Sequence, residues 1–396
     1  MKDNLKIVVY AIARNEAKFV ERWMESMKEA DEIVVLDTGS TDGTVEKLRS
    51  AGAKVETTRY ASWNTVEDYW RIVREKKGRP WRFDWARNDS IDIAKRLVPD
   101  ADVLVCTDLD EILLPGWRKK LEKAWTGYAK ANGGKNPTTA QYEYVWNFNA
   151  DGSDGAKFWY EKVHSPDAAR WTHPVHEILS YGGEKRMVKV PGMRLEHHAD
   201  QTKSRGQYLN LLELSVAECP DDDRNMHYLG REYMFRRRWD DAIRTLKRHL
   251  AMPRATWKAE RAASLRFMAK CYGEKKDAAR QIACLWWAVA EEPMQREAAL
   301  ELAEIANARK DWAMLVSACE RCLSVKERRM SYLTKAEAWG ARPWDLYSVG
   351  LWYCGRRNEA LCANAEALKL SPNDARLKSN DEIMRRLMAN GVGGGK

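Results

Sequence analysis

The spacing of apolar positions changes twice along the chain. In the first hundred or so residues, short apolar runs alternate with stretches of helical periodicity. Residues 6–13, 32–36, 53–57 and 102–106 read as strands, the last of them buried, and residues 16–28, 41–50 and 85–97 as helices between them. Ser40 and Thr41 are the candidate caps of the second helix, with Asp42 in its first turn. This βαβαβ order predicts an α/β fold with a mainly parallel sheet, in which ligands bind beyond the carboxyl ends of the strands. From residue 138 the pattern becomes strand and hairpin: 139–149 and 157–162 flank a turn-rich 151–155, and 185–190 follows a turn at 180–183. From residue 203 onward the periodicity is helical. Segments 229–253, 267–293, 301–325 and 349–372 each read as helix, polar turn and second helix with an early alanine, at an irregular spacing of roughly 40 residues. The expected organisation is therefore 1–202 (halves 1–115 and 116–202), a helical-repeat domain over 203–390, and a tail at 391–396.

Charge separates the same halves. Residues 1–200 carry 32 basic and 32 acidic side chains, residues 201–396 carry 35 and 26, so the whole net charge of +9 lies in the helical part. That imbalance suits either an ordinary basic surface or an acidic partner. The apolar runs are too short to span a bilayer, and the first of them reads as a strand, not a leader. Eight cysteines, mostly within helical patterns, suit reduced thiols and a cytoplasmic protein, with a membrane-peripheral one as the alternative.

The candidate chemistry gathers in three places. Asp37 ends the second strand. Asp108 and Asp110 follow the fourth, where strand alternation would put both on one face and where a divalent cation would relieve their repulsion. Five of the seven histidines fall between residues 164 and 198.

Ala13-Arg-Asn-Glu16, the strand ending in Asp37-Thr-Gly-Ser-Thr-Asp-Gly-Thr44, Ala86-Arg-Asn88, Thr107-Asp-Leu-Asp-Glu111, Pro174-Val-His-Glu177 and Leu195-Glu-His-His198 together resemble the GT-A fold glycosyltransferases of family 2. The helical segments resemble tetratricopeptide repeats, and the combination is similar to the subgroup of the sublancin peptide S-glycosyltransferase. The resemblance implies a Rossmann-like mixed sheet followed by all-α repeats, and a metal-dependent, inverting enzyme using a nucleotide-diphosphate sugar, a UDP-sugar favoured. Arg14, Asn15, Glu16, Asp37, Gly39, Ser40, Arg87, Asp108 and Leu109 are the implied donor contacts. Asp110, Asp108 and His197 would hold Mn²⁺ or Mg²⁺, with His198 the rival of His197. Glu177 is the candidate base, with His176 as its orienter or the base itself, and an ion pair of Glu177 with a basic residue near Trp171 is the competing reading. Trp146, Trp159 and Trp171 are candidates for a sugar platform, and the aromatic-rich residues 60–83 for a lid or acceptor contact. The acceptor stays open at this point: peptide, protein, cell-envelope glycan, or a phosphate-rich molecule such as nucleic acid. A homodimer through the repeats and a non-catalytic scaffold are further alternatives.

Overall fold

The computed structural model describes residues 4–149, 152–200 and 206–389. The expected tail at 391–396 lies outside them. The chain packs as two units, Met1–Pro220 and Asp221–Lys396.

The first unit is built on an eight-stranded mixed sheet. In chain order its strands are β1 (Ile7–Ala13), β2 (Glu32–Asp37), β3 (Lys54–Thr57), β4 (Val103–Cys106), β5 (Glu111–Leu113), β6 (Thr139–Val145), β7 (Lys157–His164) and β10 (Met187–His197), and they lie in the order β3-β2-β1-β4-β7-β6-β10-β5. The first four are mutually parallel, as the alternating pattern requires, and β7 joins β4 antiparallel. β8 (Ala169–Thr172) and β9 (Ile178–Tyr181) form a separate hairpin. The helices are α1 (Val20–Met27), α2 (Thr44–Ser50), α3 (Val66–Glu75), α4 (Phe83–Leu97), α5 (Trp117–Ala131) and α6 (Tyr208–Glu218). Both faces of the β1–β4 sheet are covered: Val9, Val35 and Val105 pack with Trp23 and Trp117 on one side, while Val8, Val34 and Leu104 pack with Ile91 and Ala94 of α4 on the other. Such two-sided burial explains why these strands read as unbroken apolar runs.

Two local expectations fail for identifiable reasons. α2 starts at Thr44, not Thr41, because Gly43 enters it at φ 84°. Ser40 and Thr41 are engaged elsewhere, bonded to Asn15 across the loop. Nor does the strand continue through Asp108 and Asp110. The Glu111 amide donates to the Asp108 carbonyl at 3.0 Å, closing a turn over 108–111, so alternation does not govern where those carboxylates point.

The second unit is helical throughout its described elements. α7 (Asp223–Phe235) pairs with α8 (Trp239–Ala251), α9 (Lys258–Glu274) with α10 (Ala278–Glu291), α11 (Glu297–Arg309) with α12 (Trp312–Ser324), and α13 (Arg342–Tyr353) with α14 (Arg357–Leu370), before a final α15 (Ala375–Ala389). Each pair packs on the next, so every hairpin buries its apolar face only by stacking. The close crossings use small residues: a Cβ on Gly230 would stand 2.6 Å from Leu246. Among the described residues no helix is long and apolar enough to cross a membrane.

Candidate active site

The carboxyl ends of β1, β2 and β4 open onto three adjoining clusters. In the first, Asp37 is buried and its Oδ1 accepts from the amides of Gly39 (3.0 Å) and Ser40 (3.1 Å). Gly39, at φ 108°, allows the reversal those bonds require. Asn15, itself at φ 54°, donates its amide to Ser40 Oγ and accepts the Thr41 amide on Oδ1, both at 2.8 Å. The Glu16 amide donates to Thr44 Oγ1 at 2.8 Å. Six of the implied donor residues thus meet in one double loop, with Arg14 exposed at its rim. Here Asp37 shapes the loop with its carboxylate, a turn-forming part alongside any ligand contact.

The second cluster is ionic and partly buried. Arg87, on α4, donates through Nε to Glu177 Oε1 (2.5 Å) and through Nη2 to Asp108 Oδ1 (2.9 Å), with Nη1 3.3 Å from the sulfur of Cys106 and the guanidinium over the Trp171 ring. Lys162 of β7 donates to Asp108 Oδ2 (3.0 Å) and Glu111 Oε1 (2.8 Å). Glu111 also accepts from the Tyr144 hydroxyl and the Asp108 amide, both at 2.8 Å. Burial opposes ionisation of Asp108, yet the charges of Arg87 and Lys162 hold its carboxyl well below the usual range. For Glu111 burial wins and the Asp108 charge adds to it, so its pKa is raised.

The third cluster sits where β10 pairs with β5, placing His197 opposite Glu111. His197 Nε2 lies 3.5 Å from Asp110 Oδ2. Its Nδ1 bonds the Trp146 carbonyl at 3.0 Å, and its ring stacks on that indole at 4.5 Å. A carbonyl only accepts, so Nδ1 carries a proton. A protonated Nε2 donates to the carboxylate, whereas in the neutral ring two acceptors face each other and a cation between them is favoured. Burial resists charging the ring, but the bond to Asp110 and the charges of Asp110 and Glu111 raise its pKa. A divalent ion can take the proton's place. Two cations, Arg87 and Lys162, are set against four carboxylates, those of Asp108, Asp110, Glu111 and Glu177, which favours added positive charge. The residues present therefore fit a metal ion at Asp110 and His197. Asp108, expected beside them, has both oxygens committed to Arg87 and Lys162. His198 is turned away: its Nε2 is 3.3 Å from Glu196, and only its amide touches Asp110, donating to the carbonyl.

Glu177 and His176 lie in the loop joining β8 to β9, where His173 (φ 76°) and His176 (φ 51°) both take the left-handed conformation that side-chain-bearing residues rarely adopt. The Phe83 amide donates to the Pro174 carbonyl and ties this loop to the start of α4. Asn88, beside Arg87, clasps Trp171 by both backbone groups at 2.9 Å. The ion pair of Glu177 with a basic residue near Trp171 is thus present, and that residue is Arg87. Of the proposed sugar platform, Trp171 is buried and donates to the Tyr10 hydroxyl, Lys189 lies over Trp159, and Trp146 is the exposed ring beside His197. Leu109 is buried in the core, leaving its backbone for ligand contact. In the 60–83 segment, Trp63 donates to the Trp81 carbonyl and Tyr69 to Trp85 contacts close an aromatic cluster around Arg82.

Residues 8–160 match the family Glycosyl transferase family 2. The match stops before Lys162, Glu177 and His197. The chain is also 30% identical over 132 residues to the lipopolysaccharide core biosynthesis glycosyltransferase LpsC of Rhizobium meliloti (strain 1021), covering 32% of this chain and 46% of that protein. The chain therefore spans less than half the length of that curated relative. Similar solved structures include pilF of Pseudomonas aeruginosa (13% identity, TM-score 0.34, covering 43% of this chain and 71% of that one) and the C-terminal part of a TPR repeat-containing protein of Cytophaga hutchinsonii (10% identity, TM-score 0.38, covering 48% and 68%). The double loop at Asp37 and the acidic turn at Asp108 both lie inside the span that is similar to glycosyl transferase family 2.

Proposed function

We propose that this chain is a metal-dependent glycosyltransferase that moves a sugar from a nucleotide-diphosphate sugar to an acceptor, with inversion at the sugar carbon. The observation that carries the reading is the 3.5 Å opposition of Asp110 Oδ2 and His197 Nε2, with Asp110 inside the span that matches family 2. Asp110 and His197 are the metal ligands. An ion there supplies a Lewis acid for the departing diphosphate, and the imidazole ligand shifts preference from Mg²⁺ toward Mn²⁺. The double loop of Arg14, Asn15, Glu16, Asp37, Gly39 and Ser40 receives the nucleotide, favoured as uridine. Arg87 and Lys162 keep Asp108 and the 108–111 turn in place. Glu177, oriented by Arg87 through one oxygen, takes the acceptor proton, with His176 next to it as the second candidate.

The acceptor is a cell-envelope glycan, a reading supported by the lipopolysaccharide core role in the name of the Rhizobium relative. The helical array beyond residue 220 supports a peptide or protein acceptor as the second reading. The test is a panel of nucleotide sugars assayed for hydrolysis and transfer with Mn²⁺, with Mg²⁺ and with chelator. Turnover of one donor that chelator abolishes is expected. Absence of turnover with every donor and metal would leave a scaffold with a transferase-like domain.

A further inference from the structure

We propose that His227, His249 and Glu260 form a buried structural zinc site that ties together the first three helices of the second unit. The three residues come from three successive helices. His227 lies in the second turn of α7, His249 in the last turn of α8 and Glu260 in the first turn of α9. All are buried, the two histidines completely. One ligand atom from each lies within 4.8 Å of the others, and His249 Nε2 is already 3.5 Å from Glu260 Oε1. Ligands at tetrahedral zinc stand roughly 3.3 Å apart, so small side-chain adjustments close the set.

The hydrogen bonds around the cluster select the ligand atoms. His227 Nδ1 and His249 Nδ1 both lie on Ser264 Oγ, at 2.7 and 3.0 Å. Ser264 stands one helical turn beyond Glu260 on the same face of α9. A serine oxygen can accept two hydrogen bonds, so it can hold both rings with Nδ1 protonated and Nε2 carrying a lone pair. Those two Nε2 atoms are buried and have no hydrogen-bond partner, although buried polar atoms normally find one. Glu260 Oε2 accepts from the Tyr332 hydroxyl at 2.9 Å, which turns Oε1 toward His249. Imidazoles held from behind by a hydroxyl and a carboxylate held by a phenol are the outer contacts that orient ligands at metal sites. Two imidazole nitrogens and one carboxylate oxygen suit zinc and exclude the all-oxygen preference of Mg²⁺ and Ca²⁺. A water completes the fourth position. Because metal binding at such a site is coupled to folding, the ion would fasten the start of the helical array. The site shares no ligand with the Asp110–His197 pair.

The test uses the full chain purified without chelator, with metals counted by mass spectrometry and melting followed by calorimetry. The wild type and Asp110→Ala should both carry a single zinc ion per chain. Stripping with a zinc chelator should lower Tm by several degrees, and zinc should restore it. Glu260→Gln and His249→Asn should lose the ion. If those variants do not fold, Co²⁺ loaded into the stripped wild type should give the visible bands of a four-coordinate nitrogen–oxygen site. A chain that takes up no zinc and whose Tm does not respond overturns the proposal. So does zinc retained by the folded variants, or a six-coordinate cobalt spectrum.

Discussion

Asp110 Oδ2 and His197 Nε2 stand 3.5 Å apart, with the histidine ring fixed from behind by the Trp146 carbonyl. If a donor-bound ion sits between them, Asp110→Ala should abolish Mn²⁺-dependent binding of the donor nucleotide. His197→Ala should weaken it about 100-fold or more, since even outer contacts of a metal site are worth 10–100-fold. Titration calorimetry of nucleoside diphosphate with and without Mn²⁺ reads both. Wild-type affinity for Mn²⁺–nucleotide in Asp110→Ala would place the ion elsewhere.

Glu177→Gln separates the two parts of Glu177. The amide oxygen can still accept from Arg87 Nε, so the loop carrying it should stay in place. The charge that takes the acceptor proton is gone. Donor binding should be unchanged and transfer should fall by about 100-fold or more, in line with the usual worth of a general base. Transfer at the wild-type rate would remove Glu177 as the base.

Arg87 joins Glu177 to Asp108 by two edges of one planar group. Lysine presents a single point charge and cannot span both. Arg87→Met leaves both carboxylates without that cation and should cost about 3–5 kcal/mol of stability. Arg87→Lys should cost less but still lower kcat. Urea unfolding beside steady-state kinetics checks the order wild type, Lys, Met. Equal stability of wild type and Met would mean that the pair contributes nothing to the fold.

Much of this site is legible in the chain, and the gaps have physical causes. Asp37 and Asp108 could be placed because a buried parallel strand is an unbroken apolar run whose end is unmistakable. The separate fates of Asp108 and Asp110 were hidden by a tight turn, which depends on one backbone bond from Glu111 and breaks strand alternation. Lys162 ends a strand-like run, and the run alone assigns it no role. Its signal was present: Phe158, Tyr160 and Lys162 share one face of β7, so a charge continues an aromatic stripe. Helix α5 carries a signal of its own, since Trp117, Leu121, Trp125 and Ala129 repeat at four-residue spacing and are all buried. The Arg87–Glu177 bridge links residues 90 positions apart, and no local pattern encodes it.

His164 gives the fold a pH dependence. Trp171 Nε1 donates to the Tyr10 oxygen at 2.8 Å, so that hydroxyl donates its hydrogen bond to His164 Nε2, also at 2.8 Å, while Nδ1 donates to the Ser165 carbonyl. The ring is thus neutral, and burial pushes its pKa from 6.5 down to about 4. A depressed folded pKa means that the unfolded chain binds the proton first as pH falls. The stability contribution is complete above about pH 6.5 and is lost as pH drops toward 4, with an upper limit of about 3 kcal/mol. His164→Asn should flatten this part of the profile, as read by denaturant midpoints from pH 7 to pH 4. Parallel profiles for wild type and variant would show that His164 does not titrate in this window.

Gly230 sets two opposing effects against each other in the helical unit. Alanine gains about 1 kcal/mol over glycine in a helix interior. A Cβ there would lie 2.6 Å from both Cγ and Cδ2 of Leu246, a side chain that is fully buried. Forcing a methyl into a packed core costs about 1–3 kcal/mol. Leu246 is fully buried in the core cluster that includes Met234, Ala242 and Leu265, so it has little room to yield. The clash should win, and Gly230→Ala should lower stability by about 1 kcal/mol. Gly230→Ala combined with Leu246→Ala should show a favourable coupling, because the second change removes the clash that the first creates. Thermal unfolding of the two singles and the double closes the cycle. Additive losses would mean that the two helices already stand far enough apart at this crossing to admit a methyl group.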